Sequence, residues 1–141
     1  MELCLYDHEH GYYSSHVRTI GTGGDFATTP TLAGILAKAI ARTIHLTGLQ
    51  DIIEIGPGAG HLATALRREF KPPFPQFRKL PRYHLVERAP RIRSVLRRQL
   101  GRSVRFHTTM KSALRATGGA AFIFSNELVD AFPVRIFRKG D

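Results

Sequence analysis

Apolar residues recur with two different periods along this chain, and segments of the two kinds alternate. Short apolar runs, which are typical of strands buried in a parallel sheet, cover residues 52–55, 83–86, 104–106 and 120–124. Segments with an apolar residue at every third or fourth position, which are typical of amphipathic helices, cover residues 31–46, 61–70 and 90–100. The predicted order is one helix followed by β-α-β-α-β-β. This order predicts an α/β fold in which helices flank a parallel sheet.

The first predicted helix, 31–46, shows which face we expect to lie inward. Pro30 stands where a first-turn proline is tolerated, and Thr29 is a suitable N-cap residue. The predicted inward face comprises Leu32, Ile35, Leu36, Ala39, Ile40 and Ile44.

Composition and charge exclude several classes of protein. The chain has 141 residues, a length that suits a single domain, and no apolar run approaches the roughly 20 residues of a membrane helix. The formal net charge is +10, and most basic residues follow Arg67. A positive surface attracts anions such as nucleic acid. No aromatic residues interleave with the basic run 91–98, however, so a solvated arginine-rich surface is favoured and nucleic acid is not the expected partner.

The clearest chemical signal is the segment 54–60, with the sequence Glu-Ile-Gly-Pro-Gly-Ala-Gly, which joins a predicted strand to a predicted helix. Glycines let the backbone turn sharply and let a ligand approach closely, and the start of the following helix offers unpaired N–H groups. Ligands of open α/β sheets bind at the carboxyl ends of the strands. We therefore expect a nucleoside-containing ligand at this loop.

Two acidic residues bear on the identity of that ligand. Residues 58–63 fit the permissive dinucleotide pattern G-x-G-x-x-A, which is a weak signal alone and leaves a nicotinamide dehydrogenase as an alternative. Glu54, on the strand before the glycines, is not part of that pattern. Glu87, at the end of the second strand, can accept hydrogen bonds from both ribose hydroxyls of an adenosine. The alternative role of Glu87 is an ion pair with Arg88 or Arg91.

Metal and thiol chemistry find little support in the sequence. His8 and His10, with Asp7 and Glu9, are close in sequence, but a metal would need further ligands from elsewhere, so we predict none. The single cysteine, Cys4, cannot form a disulfide within the chain.

Three motifs together resemble the MidA-like family of class I methyltransferases. They are the Gly-Tyr-Tyr sequence at 11–13 followed by 21–30, the glycine segment with its flanks at 54–62, and Ser-Asn-Glu-Leu-Val-Asp-Ala-Phe-Pro-Val at 125–134. Their order and spacing are similar to the family pattern. The family includes the mitochondrial complex I assembly factor that methylates a protein arginine. The resemblance implies a Rossmann-like class I methyltransferase fold and S-adenosyl-L-methionine as the cofactor.

The resemblance also implies roles for individual residues. The catalytic and acceptor-binding residues would be Asn126, Glu127 and Asp130, with the two carboxylates holding an arginine guanidinium. The alternative for Glu127 and Asp130 is that of acids favoured at a helix N-terminus. The cofactor-binding residues would be Gly24, Asp25, Phe26, Thr28, Glu54, Gly56, Pro57, Gly58, Gly60, Glu87 and Asn126.

The resemblance finally implies how the chain is organised. Residues 1–48 would form a helical, cofactor-covering segment, and residues 49–141 the first half of the cofactor-binding domain. Family members are far longer and have seven strands, so we expect the C-terminal strands to be missing, with self-association through an exposed sheet edge. The alternative function is a truncated, inactive methyltransferase-like protein that acts as a binding or assembly module. We expect a protein substrate, no membrane association, and a cytoplasmic location, or the mitochondrial matrix in a eukaryote.

Overall fold

The computed structural model describes residues 2–7, 9–12, 30–70, 80–129, 132–135 and 137–138. Its helices are α1 (Glu2–Tyr6), α2 (Pro30–Thr47), α3 (His61–Glu69), α4 (Pro90–Leu100) and α5 (Met110–Ala116), with a 3-10 turn at Gly101–Ser103. Its strands are β1 (Asp51–Ile55), β2 (Arg82–Val86), β3 (Val104–His107) and β4 (Phe122–Ser125). All three strand pairs are parallel, in the order β3-β2-β1-β4. The predicted α/β fold with a parallel sheet is therefore confirmed.

Helix α5 was missing from the predicted order, which ran directly from the third strand to the fourth. The helix has seven residues, so its apolar positions Met110, Ala113 and Leu114 form a pattern too short to separate from chance in the sequence. Its first turn is capped by Thr109, whose hydroxyl accepts a hydrogen bond from the N–H of Ser112 at 3.2 Å. β4 lies beside β1 rather than β3, and a parallel arrangement requires a crossover connection. α5 forms part of that crossover.

The two faces of the sheet carry different layers because side chains alternate along each strand. On β1, Ile52 and Glu54 point to the layer formed by α2, α3 and α4, whereas Ile53 packs in a smaller cluster with Ala113 of α5. The strands are in register, with Ile52 opposite Tyr83 of β2. The larger core therefore lies between the sheet and α2–α4.

The buried face of helix α2 agrees only in part with the predicted one. Ile44 is buried and Leu36 and Ile40 pack against the core, as predicted, whereas Ile35 is 65% exposed and Ala39 is exposed as well. The buried face is instead completed by small residues that the prediction omitted: Ala33, Ala37 and Ala41. Their small side chains let α2 lie close against α3, so close packing rather than hydropathy decides which face turns inward.

In the described part of the chain, no helix has both the length and the apolar composition that crossing a bilayer requires.

A chain of polar side chains crosses the α5 face of the sheet from strand to strand. Asp51 of β1 is buried and forms a two-pronged ion pair with Arg82 of β2, in which Arg82 Nε lies 2.7 Å from Asp51 Oδ1. The same carboxylate lies 3.2 Å from Nε2 of His84, a fully buried residue of β2. On the other side of the ring, His84 Nδ1 lies 2.9 Å from His107 Nε2 of β3. Three strands are thus joined by side chains as well as by backbone.

The environment of this polar chain shifts the pKa of each member. Burial alone would raise the pKa of Asp51, but the hydrogen bond and charge of Arg82, with a smaller contribution from His84, lower it below its usual value. Burial lowers the pKa of His84, and Asp51 opposes this only in part. Burial, then the neighbouring His84 and Arg105, lower the pKa of His107. Near neutral pH, Asp51 is therefore ionised and the imidazoles of His84 and His107 are neutral.

This arrangement predicts how the stability contributed by His84 depends on pH. Because folding lowers the pKa of this histidine, the native state binds fewer protons than the unfolded chain, and the contribution of His84 is lost as the pH falls below 6.5, the ordinary histidine value. We expect the free energy of unfolding of the wild type, minus that of His84→Gln, to decrease between pH 7.5 and pH 5. Urea denaturation of both proteins at several pH values measures the difference. The comparison with the variant is needed because the raised pKa of Glu54 acts in the opposite sense. A difference that does not change with pH would contradict this account.

Candidate functional site

The loop after β1 has a backbone conformation that requires glycine at three positions. Gly56, Gly58 and Gly60 have φ angles of 65°, 51° and 73°, in the left-handed region that residues with a Cβ atom adopt reluctantly. The Gly60 N–H donates to the carbonyl of Pro57 at 2.8 Å and closes the turn. The Gly56 N–H donates to the carbonyl of Val86 at 3.0 Å and continues the β1–β2 ladder by one residue. The conformation therefore accounts for the sequence pattern at this loop.

The three glycines differ in what surrounds them. A Cβ atom added at Gly56 would lie 2.5 Å from Leu128 Cδ1, and one at Gly60 would lie 2.5 Å from Leu96 Cδ2. A Cβ atom at Gly58 would meet nothing within 4 Å, and this residue is exposed. Gly56 and Gly60 are thus needed for packing within the protein, whereas Gly58 leaves open space. Helix α3 begins directly after Gly60, which has no side chain to cap the N–H groups of the first turn.

Glu54 lies on β1, two residues before the first glycine of the loop. Its side chain is 2% exposed, and the hydroxyl of Tyr83 donates a hydrogen bond to its carboxylate at 2.6 Å. Burial raises the pKa of Glu54 to about 7, against the opposing effect of the Tyr83 hydrogen bond. Burial, reinforced by the Glu54 carboxylate, raises the pKa of Tyr83 as well. The pair joins β1 to β2 immediately below the glycines. Glu54 was predicted from the sequence as a site residue, and Tyr83 was not.

Glu87 follows β2, and several hydrogen bonds fix its backbone and side chain. Its carboxylate oxygen Oε1 accepts a hydrogen bond from the Ala89 N–H at 2.7 Å. Its own N–H donates to the carbonyl of His107 at 3.0 Å, and Arg93 donates to its carbonyl at 2.8 Å. Burial raises the pKa of Glu87, and the hydrogen bond from Ala89 opposes the shift. Glu87 is therefore a half-buried carboxylate held in a defined position at the carboxyl edge of the sheet.

The segment after β4 lies on the other side of the glycine loop, because β4 and β2 flank β1. Asn126 is half-buried and Glu127 is exposed. Glu127 has a φ angle of 48°, which is uncommon for a residue other than glycine and is found disproportionately at functional sites. Leu128 packs on Gly56 and so joins this segment to the glycine loop. The carboxyl edge thus presents Glu87, then the glycines, then Asn126 and Glu127, in that order.

The remaining residues proposed from the sequence are these. Gly24, Asp25, Phe26, Thr28 and Asp130 lie outside the described residues. Within the described ranges, no three His, Cys, Asp or Glu side chains come together in a way that could hold a metal ion.

Comparison with known protein families identifies a family of enzymes. A family model described as "Putative S-adenosyl-L-methionine-dependent methyltransferase" matches residues 35–141 of this chain. The matched region includes the glycine loop, Glu87 and the segment after β4. No curated protein matches the chain.

Comparison with solved structures gives the same fold. A crystal structure of an uncharacterised protein from Burkholderia thailandensis is 27% identical, with a TM-score of 0.52, over 77% of this chain and 29% of that protein. A second structure from the same organism and superfamily, described as a likely methyl transferase bound to S-adenosyl-homocysteine, is 24% identical, with a TM-score of 0.54, over 87% of this chain and 30% of that chain. The chain therefore spans less than a third of the length of each.

The different surroundings of the glycines predict different effects of substitution. We expect Gly60→Ala to lower the free energy of unfolding by roughly 2–4 kcal/mol, because the left-handed backbone is strained and the new methyl group displaces Leu96. We expect Gly58→Ala to cost only about 1–2 kcal/mol, the strain alone. Chemical denaturation of the two variants measures the difference. Equal losses of stability would show that Gly60 does not pack as described.

Proposed function

The chain belongs to a family of S-adenosyl-L-methionine-dependent methyltransferases, and we propose that it binds S-adenosyl-L-methionine at the glycine loop and takes part in methyl transfer from it. The observation that carries this proposal is the open backbone at Gly58, with Glu87 on one side and Asn126 on the other. The bound S-adenosyl-homocysteine in the Burkholderia thailandensis protein supports it, because that protein shares the fold.

The chemistry of the described residues fits the two ends of such a cofactor. Glu87 would accept hydrogen bonds from the ribose hydroxyls, with its half-buried position strengthening the interaction. The glycine loop and the uncapped start of α3 would hold the methionine end, where N–H groups can receive a carboxylate. Glu54, whose carboxylate accepts the hydrogen bond from Tyr83, would form part of the floor beneath the methionine end. Of the residues predicted from the sequence to cover the cleft, Gly24, Asp25, Phe26 and Thr28 retain that role as part of this proposal.

For the acceptor, we propose a protein side chain, with arginine favoured. The bound cofactor supplies a methyl group on a positively charged sulfur. The residues of this chain must hold the accepting nitrogen in line with that methyl group and exclude water, since positioning dominates such a transfer. Glu127 offers an exposed carboxylate that can bind a guanidinium through two hydrogen bonds, and Asn126 lies next to it. Asp130 is the second carboxylate proposed for this role.

The whole reaction is proposed for a chain that spans less than a third of the compared structures. Among the described residues, those assigned to the cofactor lie on β1 and directly after β1, β2 and β4. The acceptor has fewer assigned residues, all of them after β4. A function limited to binding a protein is thus distinguished from catalysis by measuring cofactor binding and methyl transfer separately.

Cofactor binding is tested by calorimetric titration with S-adenosyl-homocysteine. We expect Gly58→Val to abolish binding, because the side chain would fill the open space at the loop. We expect Glu87→Gln to weaken binding by roughly 1–3 kcal/mol, the scale of lost charge-assisted hydrogen bonds. The matched control is Gly118→Val, a left-handed and open glycine far from the loop in sequence, at the turn after α5, which should bind like the wild type. Tight binding of NAD in place of S-adenosyl-homocysteine would refute the cofactor assignment.

Methyl transfer is tested with a radiolabelled methyl donor and arginine-containing or lysine-containing peptides. We expect label on arginine, and we expect Glu127→Gln to reduce it by roughly tenfold or more, because a neutral amide cannot pair with the guanidinium charge. Glu69→Gln, a substitution of a half-buried acid at the end of α3, is the control that should leave labelling unchanged. Binding of S-adenosyl-homocysteine without any labelling would instead favour the binding module.

A further inference from the structure

The end of β3, the edge strand of the described sheet, forms a hydrogen bond with the backbone of Glu87. In the described sheet β3 pairs only with β2, and His107 is its last residue. The carbonyl of His107 accepts the hydrogen bond from the Glu87 N–H at 3.0 Å. An edge strand with a single neighbour separates readily at its end. Any interaction that holds His107 in place therefore also holds the turn at Glu87.

The imidazole of His107 provides such an interaction. Its Nε2 lies 2.9 Å from Nδ1 of His84, whose ring is completely buried and whose own Nε2 lies 3.2 Å from Asp51. The two rings are also stacked, with centroids 5.1 Å apart. Asp51 in turn is bound by Arg82. The end of β3 is thus anchored through the side chains to β1, the central strand.

While both imidazoles are neutral, the hydrogen bonds that join Asp51, His84 and His107 have only one possible direction. An ionised carboxylate can only accept, so His84 donates from Nε2 to Asp51 and its Nδ1 must be an acceptor. His107 must then donate from Nε2 to His84. His107 has a specific requirement as a result: a side chain at this position must present an N–H donor to a buried nitrogen.

We propose that His107 is a positioning residue for Glu87, which holds the ribose-binding carboxylate in place by anchoring the end of β3 to His84 and Asp51. This inference rests on the proposed binding of an adenosine-containing cofactor. His107 itself touches no ligand in this account and acts through its carbonyl on the backbone of Glu87. Neither His107 nor His84 belongs to the motifs from which the site was predicted.

Charged groups around the rings determine which variants are informative. On the sheet face that carries the two rings, Arg82 lies on β2 and Arg105 lies on β3 opposite His84. Helix α5 covers this face and carries the exposed residues Lys111 and Arg115. Asp51 is the acid paired within the cluster. A cationic replacement for His107 would therefore disturb the charge balance as well as the hydrogen bond. Neutral variants avoid this complication.

The first experiment requires no cofactor and compares His107→Ala with His107→Gln by amide hydrogen exchange. The Gln side chain keeps an N–H donor near the position of Nε2, whereas Ala has none. We expect the Glu87 amide to exchange at least roughly tenfold faster in His107→Ala and near the wild-type rate in His107→Gln. The Thr64 amide, which donates to the carbonyl of Gly60 at 2.9 Å in the first turn of α3, is the internal control and should be unaffected. Unchanged exchange at Glu87 in the Ala variant would overturn the proposal.

The second experiment measures S-adenosyl-homocysteine affinity by calorimetry in the same variants. We expect roughly fivefold weaker binding for His107→Ala, the scale of one hydrogen bond, and recovery in His107→Gln. Val104→Ala, which removes buried volume at the start of β3, is the control for lost stability and should bind like the wild type. Equal weakening in Val104→Ala and His107→Ala would overturn the positioning role and leave only a structural one. If the wild type itself binds no S-adenosyl-homocysteine, the proposed function fails, while the exchange experiment still decides whether His107 holds Glu87.

Discussion

The two parallel ladders on either side of β1 are the interactions on which the candidate site depends. β1 pairs with β2 from Asp51 to Ile55 and with β4 along most of the same length. Because both neighbours run in the same direction, all three strands end at one edge, and the residues that follow them meet there. Glu87, the glycine loop and Asn126 are brought together in this way, although 70 residues of sequence separate Gly56 from Asn126.

The two faces of the sheet are stabilised by different means. The face toward α2–α4 is covered by an apolar core, in which the buried Glu54 carboxylate is paired with the Tyr83 hydroxyl. The face toward α5 has a smaller apolar cluster and carries the ion pair of Asp51 with Arg82. Removing the partner of a buried polar group is costly, because the remaining group is left without a hydrogen bond. Each face therefore depends on a specific polar contact, with Glu54 paired to Tyr83 on one and Asp51 paired to Arg82 and His84 on the other.

The sequence predicts those features that depend on local patterns. The strands were identified because short apolar runs are a local signal, and the loop after β1 because its glycines are closely spaced. Glu87 was identified because it follows directly on an apolar run. The buried face of α2 was predicted only in part, since Ala37 and Ala41 are buried by the close approach of α3 and not by their own hydropathy. The polar chain was not predicted because its contacts join residues 23 to 33 positions apart. A histidine within an apolar strand, as His84 is, was the available signal for a buried polar contact.

The contact between Leu128 and Gly56 determines how closely two segments of the candidate site approach each other. Leu128 occupies the space that a Cβ atom at Gly56 would need, so the loop after β1 and the segment after β4 share one surface. In a closely packed protein, any side chain at position 56 would displace Leu128 and with it the segment that carries Asn126 and Glu127. The glycine at position 56 therefore sets the width of the cleft between the two segments as well as the shape of its own turn.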